Sequence, residues 1–209
     1  MPKIKVPRSN PSLDMTPMVD LAFLLVTFFM LTASFRTEEA IVVDAPKSVS
    51  DEMLPDNAMM VTMDTAGRAF YTIDGEEIKK NTLMQMGEKY SVTFSEDEIK
   101  EFQLMKDFGH PFSELKTYLN ATKNERTKMD KNAPGIPMDS LNNELGDWIT
   151  FGKISAYGES QTKGTDFSNF RYSIKADART DFRVMRKLFN AFEKSNIHTF
   201  DLVTNLEQE

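Results

Sequence analysis

A single carboxylate, Asp20, stands inside an apolar run near the start of the chain, Asp14-Met-Thr-Pro-Met-Val-Asp-Leu-Ala-Phe-Leu-Leu-Val-Thr-Phe-Phe-Met30. Between Thr16 and Ser34 it is the only formal charge. Thr16 lies four residues before it, Thr27 seven after, and Ser34 a further seven on. On a helix these spacings put all four on one stripe. The other faces carry Leu21, Phe23, Leu25, Phe28, Phe29 and Met30. An acid deep in a membrane helix costs about 2.5–3.5 kcal/mol on insertion scales and by default marks a functional site with a partner. A carboxyl taken out of water favours its protonated form. Such a group can load a proton on one side and release it on the other when its surroundings change. One proton moved through 100 mV yields about 2.3 kcal/mol. A lone helix cannot enclose that chemistry, so it needs a bundle made by another protein or by copies of itself.

The element that must position Asp20 is a membrane helix over 15–35. At about 1.5 Å per residue it covers roughly the hydrocarbon thickness. Pro17 suits the first turn, where a missing N–H costs nothing, and Asp14 or Thr16 can cap it. Lys3, Lys5 and Arg8 precede the run, and Arg36, Glu38 and Glu39 follow it. The basic side predicts a cytoplasmic N-terminus and an exported remainder. Two simpler readings compete. One is a cleavable signal peptide with small residues at Thr32-Ala33-Ser34, although an acid before the apolar run is unusual there. The other is a plain anchor whose Asp20 reaches the interface, although so short a side chain snorkels poorly.

The 209 residues suffice for one domain plus a tail or anchor. With 27% charged and 40% apolar residues, most of the chain should fold in water. A net charge of -7 argues against nucleic acid as a partner. The absence of cysteine excludes disulfides, zinc–thiolate sites and thiol catalysis. His110 and His198 are the only histidines, so no histidine-rich metal site is expected. No phosphate loop, hydrolase elbow or dinucleotide fingerprint occurs. The expectation is a protein that is not an enzyme, with no metal and no cofactor.

The run Leu13-Asp14-Met15-Thr16-Pro17-Met18-Val19-Asp20, followed by an apolar helix, resembles the signature of the ExbD/TolR biopolymer-transport proteins. In that family a Thr-Pro pair precedes the membrane Asp by the same spacing. Ile41-Val-Val-Asp-Ala-Pro46 is similar to the family's extended segment, with Ala45 in place of the usual Leu. The resemblance marks Ile41, Val43, Ala45 and Pro46 as a candidate partner-binding strand. Residues 61–77 look like the family's first hairpin, and 172–177 with 200–204 look like its closing strand–helix–strand. About 89–169 reads as extra sequence, so the resemblance covers a little over half of the chain.

The resemblance implies a subunit of a proton-driven inner-membrane motor, with protons as the coupling ion. It implies a dimer whose membrane helices sit inside a pentameric ring of ExbB-type subunits. Asp20 would carry the proton and Thr16, Thr27 and Ser34 would help line its path, with Asp14, Thr16 and Pro17 as the helix-start motif. The periplasmic domain would pass work to a TonB-type protein. A TolR-type role in envelope integrity fits the same motifs. Outside the family stand a membrane-anchored module that grips cell wall or a partner, and a secreted protein cleaved near Ser34.

The predicted architecture is one N-terminal transmembrane helix plus a small periplasmic α+β domain, with helices packed on one mixed sheet. Residues 1–14 form a cytoplasmic tail, 15–35 the span, 36–57 an extended linker with a strand at 41–44, and 58–209 the domain. Strands are predicted at 59–63 and 69–73 around a turn with Gly67, and a helix begins near Thr82 after Asn81. Within 89–169 a helical insertion is predicted. Its helices run over 95–108, capped by a Ser95/Glu98 box, then 115–129 and 139–151, with a loop at 158–165. A strand at 170–176, a helix from Thr180 or Asp181 to about Lys194, and a strand at 198–203 close the domain. Phe182, Met185, Leu188, Phe189 and Phe192 recur at helical spacing and read as core. Arg179, Arg183, Arg186, Lys187 and Lys194 read as a solvated face or, less simply, a contact to an anionic surface such as cell wall.

Overall fold

A computed structural model describes residues 15–32, 43–48, 58–139 and 142–206. The chain forms two compact units, Met1–Thr37 and Glu38–Glu209. In the first, helix α1 spans Thr16–Thr32, with Pro17 in its opening turn. Its 17 residues reach about 25 Å, against about 30 Å of hydrocarbon. Among the described residues no helix is long and apolar enough to cross a membrane. Of the span expected at 15–35, residues 16–32 are helical, and 33–35 lie outside the described residues.

The second unit carries strands β1 (Lys47–Ser48), β2 (Ala58–Met63) and β3 (Ala69–Ile73), then helices α2 (Glu76–Tyr90) and α3 (Glu96–Leu104). Strand β4 (Asp107–Phe108) precedes α4 (Phe112–Asn120), α5 (Lys123–Lys131) and α6 (Glu144–Lys163). The closing elements are β5 (Arg171–Ala176), α7 (Phe182–Lys194), β6 (Asp201–Val203) and β7 (Asn205–Leu206). Five strands make a mixed sheet in the order β4-β3-β2-β5-β6. The β2–β3 and β3–β4 pairs are antiparallel, and β2–β5 and β5–β6 are parallel.

Local chemistry makes the first hairpin. The Asp64 carboxylate accepts the Arg68 backbone N–H at 2.8 Å and pairs with the Arg68 guanidinium at 2.6 Å. Gly67 supplies the left-handed residue of that turn, at φ 78°. Register then puts Met59, Val61 and Met63 on one face with Ile73, Tyr71 and Ala69 of β3 and with Ile174 and Ala176 of β5. All eight belong to the hydrophobic core.

That face is covered by α6. Trp148 is fully buried and meets Phe108 at 4.8 Å and Tyr71 and Phe102 at 5.8 Å between ring centroids. The Tyr71 hydroxyl donates to the Trp148 carbonyl at 3.1 Å, and burial pushes that phenol well above its ordinary range. Close approach depends on Gly152, where a Cβ would stand 2.1 Å from the Tyr71 hydroxyl and 2.7 Å from Met59 Cε.

The stretch 89–169 is helix-rich as expected, but it is not an appendage. Phe102, Leu115, Leu145, Trp148 and Ile149 all lie in the core that the sheet shares. The helix expected at 95–108 stops at Leu104, because 107–108 joins the sheet edge and Phe108 pairs with Tyr71. Its Ser95/Glu98 capping box is present. The helix expected at 115–129 is two helices that break at Ala121. The helix expected at 139–151 starts at Glu144 and runs on to Lys163, through the stretch read as a loop. Packing against α2 outweighs the cost of Gly158, about 1 kcal/mol relative to Ala. Helix α2 begins at Glu76 rather than near Thr82, whose hydroxyl bonds back to the Ile78 carbonyl at 2.7 Å inside the helix.

The closing unit follows the prediction more closely. Asp181 caps α7 by accepting the Arg183 N–H at 2.9 Å. Leu188 and Phe192 are fully buried, but Phe182 is 70% exposed, correcting its place in the core stripe. Side chains lean toward a helix's N-terminus, so an aromatic in the first position projects past the packed surface. Strand β5 begins at Arg171 and β6 is confined to Asp201–Val203, shorter than expected at 198–203.

Candidate functional site

Helix α1 displays the predicted polar stripe. Thr16, Asp20 and Thr27 project within about 40° of one another at 100° per residue. Asp14 and Ser34 lie outside the described residues. The Thr27 hydroxyl donates to the carbonyls of Phe23 and Leu24, at 3.0 and 2.9 Å. Its proton is committed to the helix, so Thr27 offers a neighbouring group only its oxygen lone pairs. Asp20 is exposed, and among the described residues it has no ion pair. The carboxylate is thus held on a regular helix with its acceptor face open.

The rest of α1 is apolar and unburied. No residue of the helix is buried, and Leu21, Phe23, Phe28 and Leu31 are each at least 60% exposed. A helix that is apolar nearly all round finds its solvent in lipid or in other apolar helices, not in water. A single carboxylate on it can exchange one proton but cannot build a path alone.

The second predicted site is the extended segment. Residues 43–46 form no strand, and Ile41 lies outside the described residues. Val43 and Ala45 are 7% and 2% exposed, so both side chains are packed into their own domain, with Pro46 half-buried beside them. The Asp44 N–H donates to the Asp177 carboxylate at 3.2 Å, and the Asp44 carbonyl accepts the Ala178 N–H at 3.0 Å. Just beyond, β1 pairs in parallel with β7, Lys47 beside Asn205 and Ser48 beside Leu206. A strand presenting Val43 and Ala45 to a partner is thus not what this structure shows; the segment is fastened to the chain's own closing unit.

Asp177 is the fastening point, and sequence reading did not single it out. The Arg179 backbone N–H at 3.0 Å, then the Asp44 N–H and the Arg179 guanidinium, hold its carboxyl below the usual range despite its burial. The Asp177 N–H donates to Met63, and Thr180 donates to the Asp64 carbonyl. One turn therefore joins the linker, the first hairpin and the start of α7. The Asp177-x-Arg179 spacing is an ordinary turn signal, so only the fold reveals its reach to Asp44.

His110, read as part of a loop, is also more engaged than expected. Its ring lies tilted by 33° against that of Tyr118, centroids 4.5 Å apart, with Nε2 3.3 Å from Asp130 and Nδ1 3.9 Å from Glu114. Among the described residues no group of His, Asp and Glu is arranged to hold a metal. On α7, Arg183 and Arg186 are exposed, while Lys187 pairs with Asp139 at 3.1 Å.

Neither curated proteins nor solved structures give a significant match to the chain. The family model of the biopolymer transport protein ExbD/TolR matches residues 7–207, a range that takes in α1, the linker and 89–169 as well as the two ends of the domain. With its helix-borne carboxylate and its mixed-sheet domain, the chain belongs to the ExbD/TolR family of biopolymer transport proteins.

Proposed function

We propose that this chain is the ExbD-type subunit of an inner-membrane motor that uses the proton-motive force to energise TonB-dependent transport across the outer membrane. The observation that carries the reading is α1, apolar and without a buried residue, bearing Asp20 on its one polar stripe. Membership of a family typically anchored in the membrane and working with membrane partners in energising complexes supports it. Seventeen residues stand at the short end of the range of about 17–25 that spans a bilayer. In this reading the chain crosses once, with its N-terminus cytoplasmic and its α+β domain periplasmic. Two copies place their α1 helices inside a pentamer of ExbB-type subunits, which supplies the enclosure that one helix lacks. Asp20 takes up and releases the coupling proton, and Thr16, Thr27 and Ser34 line its route. The domain hands work to a TonB-type protein. No cofactor or metal takes part, and the chain is no enzyme.

The test is Asp20→Asn, assayed by energy-dependent uptake of an iron complex in cells making normal amounts of the protein. Asn keeps the size but carries no ionisable proton. The expected outcome is loss of uptake with the membrane complex still assembled. Normal uptake together with an intact envelope would make Asp20 structural and leave a plain anchored module, for which the exposed Arg183 and Arg186 offer an anionic surface such as cell wall a place to bind. The family match covers TolR as well as ExbD. A TolR-type subunit would instead show intact uptake and a leaky, detergent-sensitive envelope on the same substitution.

A further inference from the structure

We infer that the domain carries a pocket for an alkylammonium or guanidinium group, built around Glu159 between the end of α6, the start of α2 and the 3-10 turn at Phe167–Asn169. The cavity has a volume of about 380 Å³, within the range of small-ligand sites. One carboxylate oxygen of Glu159, Oε1, pairs with Lys163 at 2.5 Å. The other, Oε2, is buried and has no hydrogen-bond partner among the described residues. A buried carboxylate oxygen left without a donor is costly, and native structures seldom leave one so. An N–H brought in from outside the chain, met by a small turn of the Glu159 side chain, would satisfy it.

The walls say which kind of donor. Ile78 and Ala156 give the cavity an apolar side. Phe167 and Phe170 stack at 5.8 Å with their planes 7° apart, and both line it. Aromatic faces beside a carboxylate suit a cation with an alkyl stem, because the ring quadrupole attracts positive charge and the stem covers apolar surface. Asp166 adds a second acid to the lining, so the pocket holds two carboxylates against the one ammonium of Lys163. Gly75 also lines the cavity, and a Cβ there would stand 3.5 Å from Glu159 Oε2 and 3.0 Å from Ile78. The same chemistry is met by a basic side chain of a protein segment and by a free diamine.

The site is tested on the full chain in lipid nanodiscs by saturation-transfer NMR, with Nα-acetyl-lysine methylamide, cadaverine and uncharged Nα-acetyl-methionine methylamide as probes. The lysine derivative should bind saturably and the methionine derivative should not. Binding of the lysine derivative alone would indicate a protein side chain as the natural occupant; equal binding of cadaverine would indicate a free amine. Glu159→Gln should weaken binding about tenfold, the scale of one charge-assisted hydrogen bond. Lys163→Ala should strengthen it severalfold, since it releases Oε1 and removes a competing cation. The Lys163 side chain is 63% exposed, so that variant keeps its fold even if Glu159→Gln does not. No binding of either amine, equal binding of the uncharged probe, or weaker binding in Lys163→Ala would overturn the assignment.

Discussion

Replacing Trp148 with Ala is the most direct way to ask whether 89–169 is part of the domain's core or an addition to it. The side chain is fully buried, with four aromatic rings within 6.1 Å of its own. Its own carbonyl receives the Tyr71 hydroxyl from the central part of the sheet, so the cavity would open where helix and sheet meet. Truncating a buried Trp costs about 3–5 kcal/mol. Each ~1.4 kcal/mol is a factor of ten, so the unfolded fraction should rise by roughly two to nearly four powers of ten. At about 2–4 °C per kcal/mol for a chain of this size, the melting temperature should fall by about 6–20 °C. Trp148 is the only tryptophan, so fluorescence is lost with it and helical circular dichroism is the proper readout. Leu104→Ala is the control: Leu104 is 77% exposed, and its truncation should cost no more than about 0.5 kcal/mol. If the two variants melted within a degree of each other, the 89–169 helices would be peripheral and the shared-core account wrong.

Two glycines of α6 should respond with opposite signs. Gly152→Ala drives a Cβ into Tyr71 and Met59, and overpacking of about 1–3 kcal/mol outweighs the Ala helix preference, so its melting temperature falls. Gly158→Ala meets open space and should gain up to about 1 kcal/mol, read from the same melts; a fall there would contradict the packing described. Asp177→Asn should speed hydrogen exchange at the Asp44 amide, because that N–H loses its charged acceptor. The Asp177 carboxyl sits below its usual range, so its stabilisation is complete above about pH 4 and is lost as pH falls through the folded-state value. The gap between wild type and Asp177→Asn in denaturant titrations should therefore close in strong acid, and a gap that persisted there would refute the role given to the charge.

Much of this protein is legible along the chain because it rests on local chemistry. The apolar run with its lone Asp20, the turn that joins Asp64 to Arg68, the Ser95/Glu98 cap and the Asp181 start of α7 each need only neighbours within one or two turns of backbone. What distance in sequence hides was misread or missed. Phe108 leaves a helical pattern because Trp148, forty residues away, offers it burial. Helix α6 runs through Gly158 because α2 supplies a surface to lie on. Val43 and Ala45 alternate as a free strand would, yet Asp177 holds them to the far end of the chain.

The sequence alone determined that a carboxylate rides an apolar helix ahead of a water-stable domain, since periodicity and charge are properties of the chain itself. It is long-range packing that draws 89–169 into the core, fastens the linker at Asp177 and leaves one buried Glu159 oxygen without a partner. Those outcomes are settled by which distant surfaces exclude water from one another, and by which polar atoms are left without a partner once they do.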